Sequence, residues 1–275
     1  MNKNTHYLVI TVVLLFFTFT SCKKQEKNPN EEDIKNKDVE IQVETTKPNI
    51  TLENLEGSPT YADASLILDT PEDIKVTEPG EMAYSFKVEN YELGAQTKGS
   101  NAQDLANSGK GQHIHFILNN QPYSAHYEPS FKKEIPEGVH HLVAFLSRSF
   151  HESVKNDNSV VVRKLFVGDN PEDTFELDMK APTLIYSRPK GEYKGTDAEQ
   201  ILLDFFVLNT TLSKDGHKVR ATINDQEFII TEWTPKVIKG LPMGEVTIQL
   251  ELLDETGVLI PGPFNKVTRK ITLTH

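Results

Sequence analysis

A stretch of this chain occurs twice. QHIHFILNNQPY at Gln112–Tyr123 aligns without a gap on HKVRATINDQEF at His217–Phe228. Apolar Ile114, Phe116 and Leu118 fall on Val219, Ala221 and Ile223, and the turn Asn119-Asn120-Gln121 falls on Asn224-Asp225-Gln226. Upstream, Phe86, Val88, Asn90 and Leu93 meet Phe205, Val207, Asn209 and Leu212; downstream, Pro136 and Gly138 meet Pro242 and Gly244, and Arg163-Lys164 meets Arg269-Lys270. A chain that repeats its apolar positions and turns must fold as two copies of one unit. The copies differ at His113 and His115, which fall on Lys218 and Arg220. Residues that only one copy carries are not required by the fold, and they are the candidates for function.

Within each copy the apolar residues alternate with period two, in short runs separated by Pro, Gly and Asn-rich turns. In the first copy the pattern predicts strands at Ser65–Asp69, Ala83–Glu89, His113–Asn119, Tyr123–His126, Phe131–Ile135, Val139–Ser147 and Val160–Val167. In the second they are Thr183–Ser187, Ile201–Leu208, Lys218–Ile223, Glu227–Thr231, Lys236–Lys239, Glu245–Leu252 and Lys266–Leu273. No helical period is sustained after the leader. The fold class this implies is all-β, two tandem immunoglobulin- or fibronectin-like β-sandwiches at 61–168 and 181–275, joined by a connector at 169–180. The single cysteine excludes the disulfide-pinned antibody subclass.

Lys3 precedes an apolar run from Tyr7 to Phe19 that ends in Phe19-Thr20-Ser21-Cys22. The run has the length of a signal h-region and is short for a membrane span. Small residues before a lone cysteine resemble a bacterial lipobox, with Phe19 where Leu is usual. Residues 1–22 are therefore expected to be a lipoprotein signal peptide with Cys22 as the lipidation site. An exported chain with one cysteine has no internal disulfide to form, which supports the same assignment. Residues 23–60 are rich in Lys, Glu, Asp and Asn and read as a flexible tether. The expected location is the cell envelope, lipid-anchored at the outer membrane of a Gram-negative bacterium. The formal net charge is −11, and removal of the leader (one positive charge, Lys3) leaves −12. That balance excludes nucleic acid as a partner and leaves an unknown ligand or envelope protein.

Strand parity turns Ile114, Phe116 and Leu118 into the core and His113, His115 and Ile117 away from it. In the strand Val139–Ser147, Leu142, Ala144 and Leu146 turn in, and His141, Val143 and Phe145 turn out. Pairing these two strands antiparallel brings His113 and His115 beside Ser147–His151. Two loops are expected to converge there. One is Gly94–Gly111, roughly a dozen residues longer than its counterpart Ser213–Gly216. The other is Ser147–Lys155, which aligns without a gap on Leu253–Pro261. Histidines at i and i+2 stand about 7 Å apart on one face of a strand, and a third from a loop would complete a three-nitrogen set. His113, His115 and His151 are the candidate metal ligands, for Zn²⁺ or Cu²⁺. None of the four methionines lies in these elements, which argues against a Cu⁺ carrier. Arg148, Ser149, Glu152 and Lys155 are the candidate ligand-binding residues beside them. His140, matched by Val246, is expected to be a satisfied core histidine; His141 and His126 form a weaker second pairing. Ile117, Val143 and Phe145 form an apolar patch that faces either a partner or the second repeat.

Catalytic signals are weaker. Ser147 and Ser149 lack a glycine-framed elbow, His151-Glu152-Ser153 is not a zincin motif, and no phosphate-cradling loop occurs. The reading is non-enzymatic: a lipid-anchored binding protein whose first module holds a metal or ligand, with the second as spacer or support. One alternative is an enzyme using a His-bound metal to activate water, with Glu152 as general base. Another is a purely structural or adhesive module.

FKVENYELG at Phe86–Gly94, KGQHIHFIL at Lys110–Leu118 and FLSRSFHESVK at Phe145–Lys155 resemble a group of flavobacterial exported lipoproteins often labelled phosphopeptide-binding protein. More distantly, the pattern Gly138-x-His140 with its loop histidine is similar to a His-rich exported bacterial domain family of unknown function. The label on the first group would call for a phosphate site, for which Arg148 and Lys155 are the available cations; no arginine cluster accompanies them, and the label is not adopted as a mechanism.

Overall fold

In the computed structural model, residues 49–275 are described, and they fall within one compact unit. The leader with Cys22, and most of the expected tether, lie outside them. The first copy is a sandwich of a three-stranded and a five-stranded sheet. The smaller sheet orders β2 (Ser65–Leu68), β4 (Gly80–Glu89) and β7 (Ser130–Ile135). The larger runs β3 (Asp73–Val76), β9 (Val160–Val167), β8 (Gly138–Ser147), β5 (His113–Leu118) and β6 (Ser124–His126). Between them lies a core that includes Leu66, Tyr84, Phe86, Ile114, Phe116, Leu142, Leu146 and Leu165.

The second copy repeats this plan. Its larger sheet orders β11 (Gly191–Lys194), β17 (Lys266–Thr274), β16 (Gly244–Leu253), β13 (Lys218–Ile223) and β14 (Gln226–Ile230). Its smaller sheet contains β10 (Thr183–Arg188), β12 (Gln200–Leu208) and β15 (Lys236–Lys239). The fold class is thus two tandem immunoglobulin-like β-sandwiches. All fourteen strands read from the period-two pattern are present. In both copies the first strand is followed by a short one that crosses to the other sheet and pairs parallel with the last strand, β3 with β9 and β11 with β17.

The repeat extends to single atoms. Asn119-Asn120 and Asn224-Asp225 have positive φ at both positions, the left-handed pair that a two-residue hairpin turn demands. The Asn119 Oδ1 accepts from the backbone N–H of His141, as Asn224 Oδ1 accepts from that of Thr247, both at 2.9 Å. Asn90 and Asn209, also at equivalent positions, are left-handed too.

Two expectations change. The tether does not run on to residue 60. Thr51–Asn54 forms β1, which pairs antiparallel with Lys236–Lys239 of β15 and completes the edge of the second sandwich. Ile50 enters the second core, and Glu53 and Asn54 bond Lys239 and Lys236. The stretch looked too polar to fold because its few apolar residues, Ile50, Leu52 and Leu55, are set among charged and polar ones, and its partner strand lies some 180 residues away, as Lys236 bonding to Asn54 shows. The second change concerns the face expected to turn outward. Ile117, Val143 and Phe145 pack with Tyr123 against Ile185, Phe206 and Leu208 of the second sandwich, so the apolar patch is the contact between the repeats.

Polar bonds fix that contact. Asn120 donates to the Leu184 and Phe264 carbonyls and accepts from the Tyr186 N–H. Ser153 and Lys155 bind the buried Asp204 carboxylate. The long loop Gly94–Gly111 carries one helical turn (Asn101–Asp104), and its Leu105 joins Phe150, Leu202 and Val237 in a small cluster across both repeats. Among the described residues, no helix is long and apolar enough to cross a membrane.

Candidate metal centre between the sandwiches

His113 and His115 leave β5 on the face turned from its own core, as parity requires, and their strand pairs with β8 so that His113 lies opposite Ser147 and His115 opposite Phe145. That face is not solvent. The second sandwich covers it, and both imidazoles are fully buried. His151 comes from the turn that follows β8. Its N–H donates to the Arg148 carbonyl, and Ser147 bridges Ser153 to close the turn.

The three rings converge. His113 Nε2 lies 2.9 Å from His115 Nε2 and 3.1 Å from His151 Nδ1, and one nitrogen from each of the three lies within 4.8 Å of the others. Nitrogens bound to one tetrahedral Zn²⁺ stand about 3.3 Å apart, from Zn–N bonds of about 2.05 Å. The two shorter separations are close to that edge.

The surroundings orient these nitrogens. His113 Nδ1 donates to the Gly111 carbonyl at 2.8 Å, which leaves the Nε2 lone pair facing its neighbours. Gly111 is required there: with φ near 85°, a Cβ would stand 2.3 Å from the Gly94 carbonyl oxygen. His115 Nδ1 bonds Ser187 Oγ at 3.1 Å, a contact from the second repeat. Burial is the main force on all three rings. It lowers His113 to about 4 and His115 well below the ordinary imidazole value, where His113 and His151 add to it. It also depresses His151, with Arg188 next in effect. The cluster is therefore neutral at physiological pH, the protonation state that metal ligation needs.

His151 adopts a left-handed backbone with φ 72°. Its counterpart in the gapless alignment of Ser147–Lys155 on Leu253–Pro261 is Gly257, with φ 86°. The turns match bond for bond: Arg148 N–H to Glu152 carbonyl and Asp254 N–H to Val258 carbonyl are both 2.8 Å. The first repeat places an imidazole where the second uses the residue that suits that backbone. The sequence carried this signal, in the pairing of His151 with Gly257.

Tyr123 and three cations complete the neighbourhood. The Tyr123 hydroxyl is 3.1 Å from His151 Nδ1, and its ring stacks on His115 with centroids 3.5 Å apart. Lys190 Nζ sits 3.8 Å from the Tyr123 ring centroid and donates to the Tyr123 carbonyl. The Arg188 guanidinium is 5.4 Å from the same ring and donates to the Tyr193 hydroxyl. Burial raises the Tyr123 phenol above its usual range against the pull of Arg188, and it lowers Lys190 to about 8. Arg269 reaches the Ser187 and Asn120 carbonyls. Ser187, Arg188, Lys190 and Arg269 all belong to the second repeat, so that repeat helps to build the centre.

The four residues expected to bind a ligand beside the histidines are engaged within the protein. Arg148 and Glu152 form a buried ion pair at 2.9 Å. Arg148 also donates to the Ser153 and Pro59 carbonyls, and Ser58 donates to Glu152. Burial pushes the Glu152 carboxyl up, and Arg148 opposes it. Ser149 exchanges reciprocal hydrogen bonds with Thr97 of the long loop, and Lys155 pairs with Asp204. These groups shape the turn that carries His151. The two loops do meet at the His113 end as expected.

The remaining histidines separate. His140 bonds Asn119 and the Pro136 carbonyl, both at 2.9 Å, as a satisfied interior residue. His126 lies opposite Ile114, at the His113 end of the sheet, and stacks on Phe131. His141 stacks on Phe264 and lines a pocket with Phe175 and Pro182. The pairing of His126 with His141 fails because β6 runs antiparallel to β5 and carries His126 away from the Asn119 turn.

No family model matches this sequence, and no curated protein is similar to it. Solved structures similar in shape include the fibronectin(III)-like modules of CbhA from Clostridium thermocellum, at 14% identity over 76% of this chain and 94% of that one, with a TM-score of 0.26. The two tandem V-type regions of the v-region-containing chitin-binding protein VCBP3 match at 8% identity over 77% and 99%, TM-score 0.22. SGBP-B of the Bacteroides ovatus mixed-linkage glucan utilization locus, in complex with a mixed-linkage heptasaccharide, matches at 9% identity over 82% of this chain and 47% of that one, TM-score 0.21. None of the three bears on what this chain binds.

Proposed function

We propose that this protein is a non-enzymatic, lipid-anchored envelope protein that holds one Zn²⁺ or Cu²⁺ ion between its two sandwiches through His113, His115 and His151. One observation carries the reading: three neutral imidazoles from a strand and a turn converge on one point. The second repeat keeps the same strand and turn, but places Lys218, Arg220 and Gly257 there. A structural histidine does not need two others within hydrogen-bonding distance, nor a left-handed backbone. His113 has the carbonyl partner on its distal nitrogen that metal-ligating histidines use.

The ion's role in this reading is binding or cross-bracing. The carboxylate nearest in sequence, Glu152, is held by Arg148 and Ser58, so the alternative of a metal-activated water lacks its general base. The leader and Cys22 support attachment to the envelope; C22A should release the protein from the membrane fraction, and unchanged membrane association would reject lipidation. Thermal melting of the full chain tests the metal. Zn²⁺ or Cu²⁺ at a hundredfold excess over Kd should stabilise it by about 2.7 kcal/mol. His115→Ala should abolish most of that gain. An equal gain in the variant would reject the site.

A further inference from the structure

We infer that the Tyr123 phenolic oxygen is the fourth ligand of the metal held by His113, His115 and His151. This deepens the three-histidine reading and rests on it. Three independent observations converge on the hydroxyl.

The first is the repeat. Phe116 pairs with Ser124 and its counterpart Ala221 with Phe228, so Phe228 stands at the place of Ser124 and Glu227 at that of Tyr123; the second copy has no phenol there, in parallel with its loss of the histidines. Tyr123 turns to the face shared with the second sandwich, whereas Phe228 packs on the second core, so the whole phenol belongs to the first copy alone. The second is geometry. The oxygen lies 3.1 Å from His151 Nδ1, about one edge of a tetrahedron from a ligating nitrogen. The ring stacks face to face on His115, 11° between planes and 3.5 Å between centroids, which seats the phenol against the histidine cluster. The third is charge. Imidazoles are neutral, so three of them leave a divalent ion's charge uncompensated in a buried site. Glu152 is turned away to Arg148 and Ser58. Arg188 and Lys190 press cations against Tyr123, and among the described residues neither has a carboxylate partner. The arrangement lacks one anion, and a phenolate flanked by two cations supplies it. As the oxygen–metal bond forms, the phenol proton leaves to solvent; nothing is oxidised or reduced.

The full chain titrated with Cu²⁺ reads this directly. Phenolate-to-copper charge transfer gives a visible absorption band that imidazole ligation does not. Wild type should develop that band to one equivalent. Tyr123→Phe, which keeps the buried ring and removes only the oxygen, should melt as wild type does without metal. It should bind copper about tenfold or more weakly and show no such band. Copper binding by wild type without the band would overturn Tyr123 ligation and leave the three-histidine site standing; so would identical spectra in both proteins. Failure of both proteins to bind copper would overturn the three-histidine reading and this inference with it.

Discussion

His151 sits in a backbone region that disfavours any side chain with a Cβ, at a turn where the second repeat uses glycine. That conformation costs a non-glycine residue about 1–2 kcal/mol. His151→Gly should therefore leave metal-free stability unchanged or raise it by about 1 kcal/mol, while removing metal binding. Denaturant midpoints of the two proteins check this, and a large loss of stability would show that His151 is there for packing. His141 supports a second prediction at this scale. It is 4% exposed, its Nδ1 is unpartnered, and burial lowers it to about 4 from 6.5. A histidine depressed in the folded state stabilises fully above pH 6.5. Below that the unfolded chain takes up the proton and the folded one does not, so stability is lost as pH falls from 6.5 towards 4, by about 1.4 kcal/mol per pH unit. His141→Phe should remove that share of the acid sensitivity, measured as the denaturant midpoint against pH. At residue scale the triad was legible because the repeat supplies an internal comparison. The engagement of Arg148, Ser149, Glu152 and Lys155 was not, since their partners Pro59, Thr97, Ser58 and Asp204 lie 49 to 94 positions away.

Strands whose faces alternate between core and surface announce themselves; strands that only close an edge do not. β3, with sequence DIKV, and β11, with GEYK, are four residues long and polar, as edge strands commonly are. β1 is the clearest case. It sits in a charged segment, and its register with β15 is written nowhere near it. It nevertheless covers the open edge of β15 and delivers Ile50 to the core. A chain beginning at Thr60 should lose at least about 3 kcal/mol relative to one beginning at Thr46, from the lost Ile50 contacts alone. Its uncovered edge should also drive self-association. Melting and gel filtration of the two chains check both effects, and equal behaviour would mean that β1 contributes little.

The whole molecule is built around the junction between its repeats. The fold of each copy was legible because alternation and turn residues are local. The junction was not: an apolar face looks the same in sequence whether it meets a partner or the neighbouring repeat. The structure resolves that ambiguity through Phe145 against Phe206, with rings 5.1 Å apart, and through Asn120 bonded into β10. The second sandwich is consequently more than a spacer, because Ser187 fixes the His115 ring and Arg188 and Lys190 flank Tyr123. A single ion at this junction would tie the β5 strand and the His151 turn together under the cover of the second repeat. Anomalous diffraction from crystals of the protein grown with Zn²⁺ or Cu²⁺ tests this most directly. One strong peak is predicted, about 2 Å from His113 Nε2, His115 Nε2 and His151 Nδ1. A peak elsewhere, or no peak between these three nitrogens at saturating metal, would contradict it.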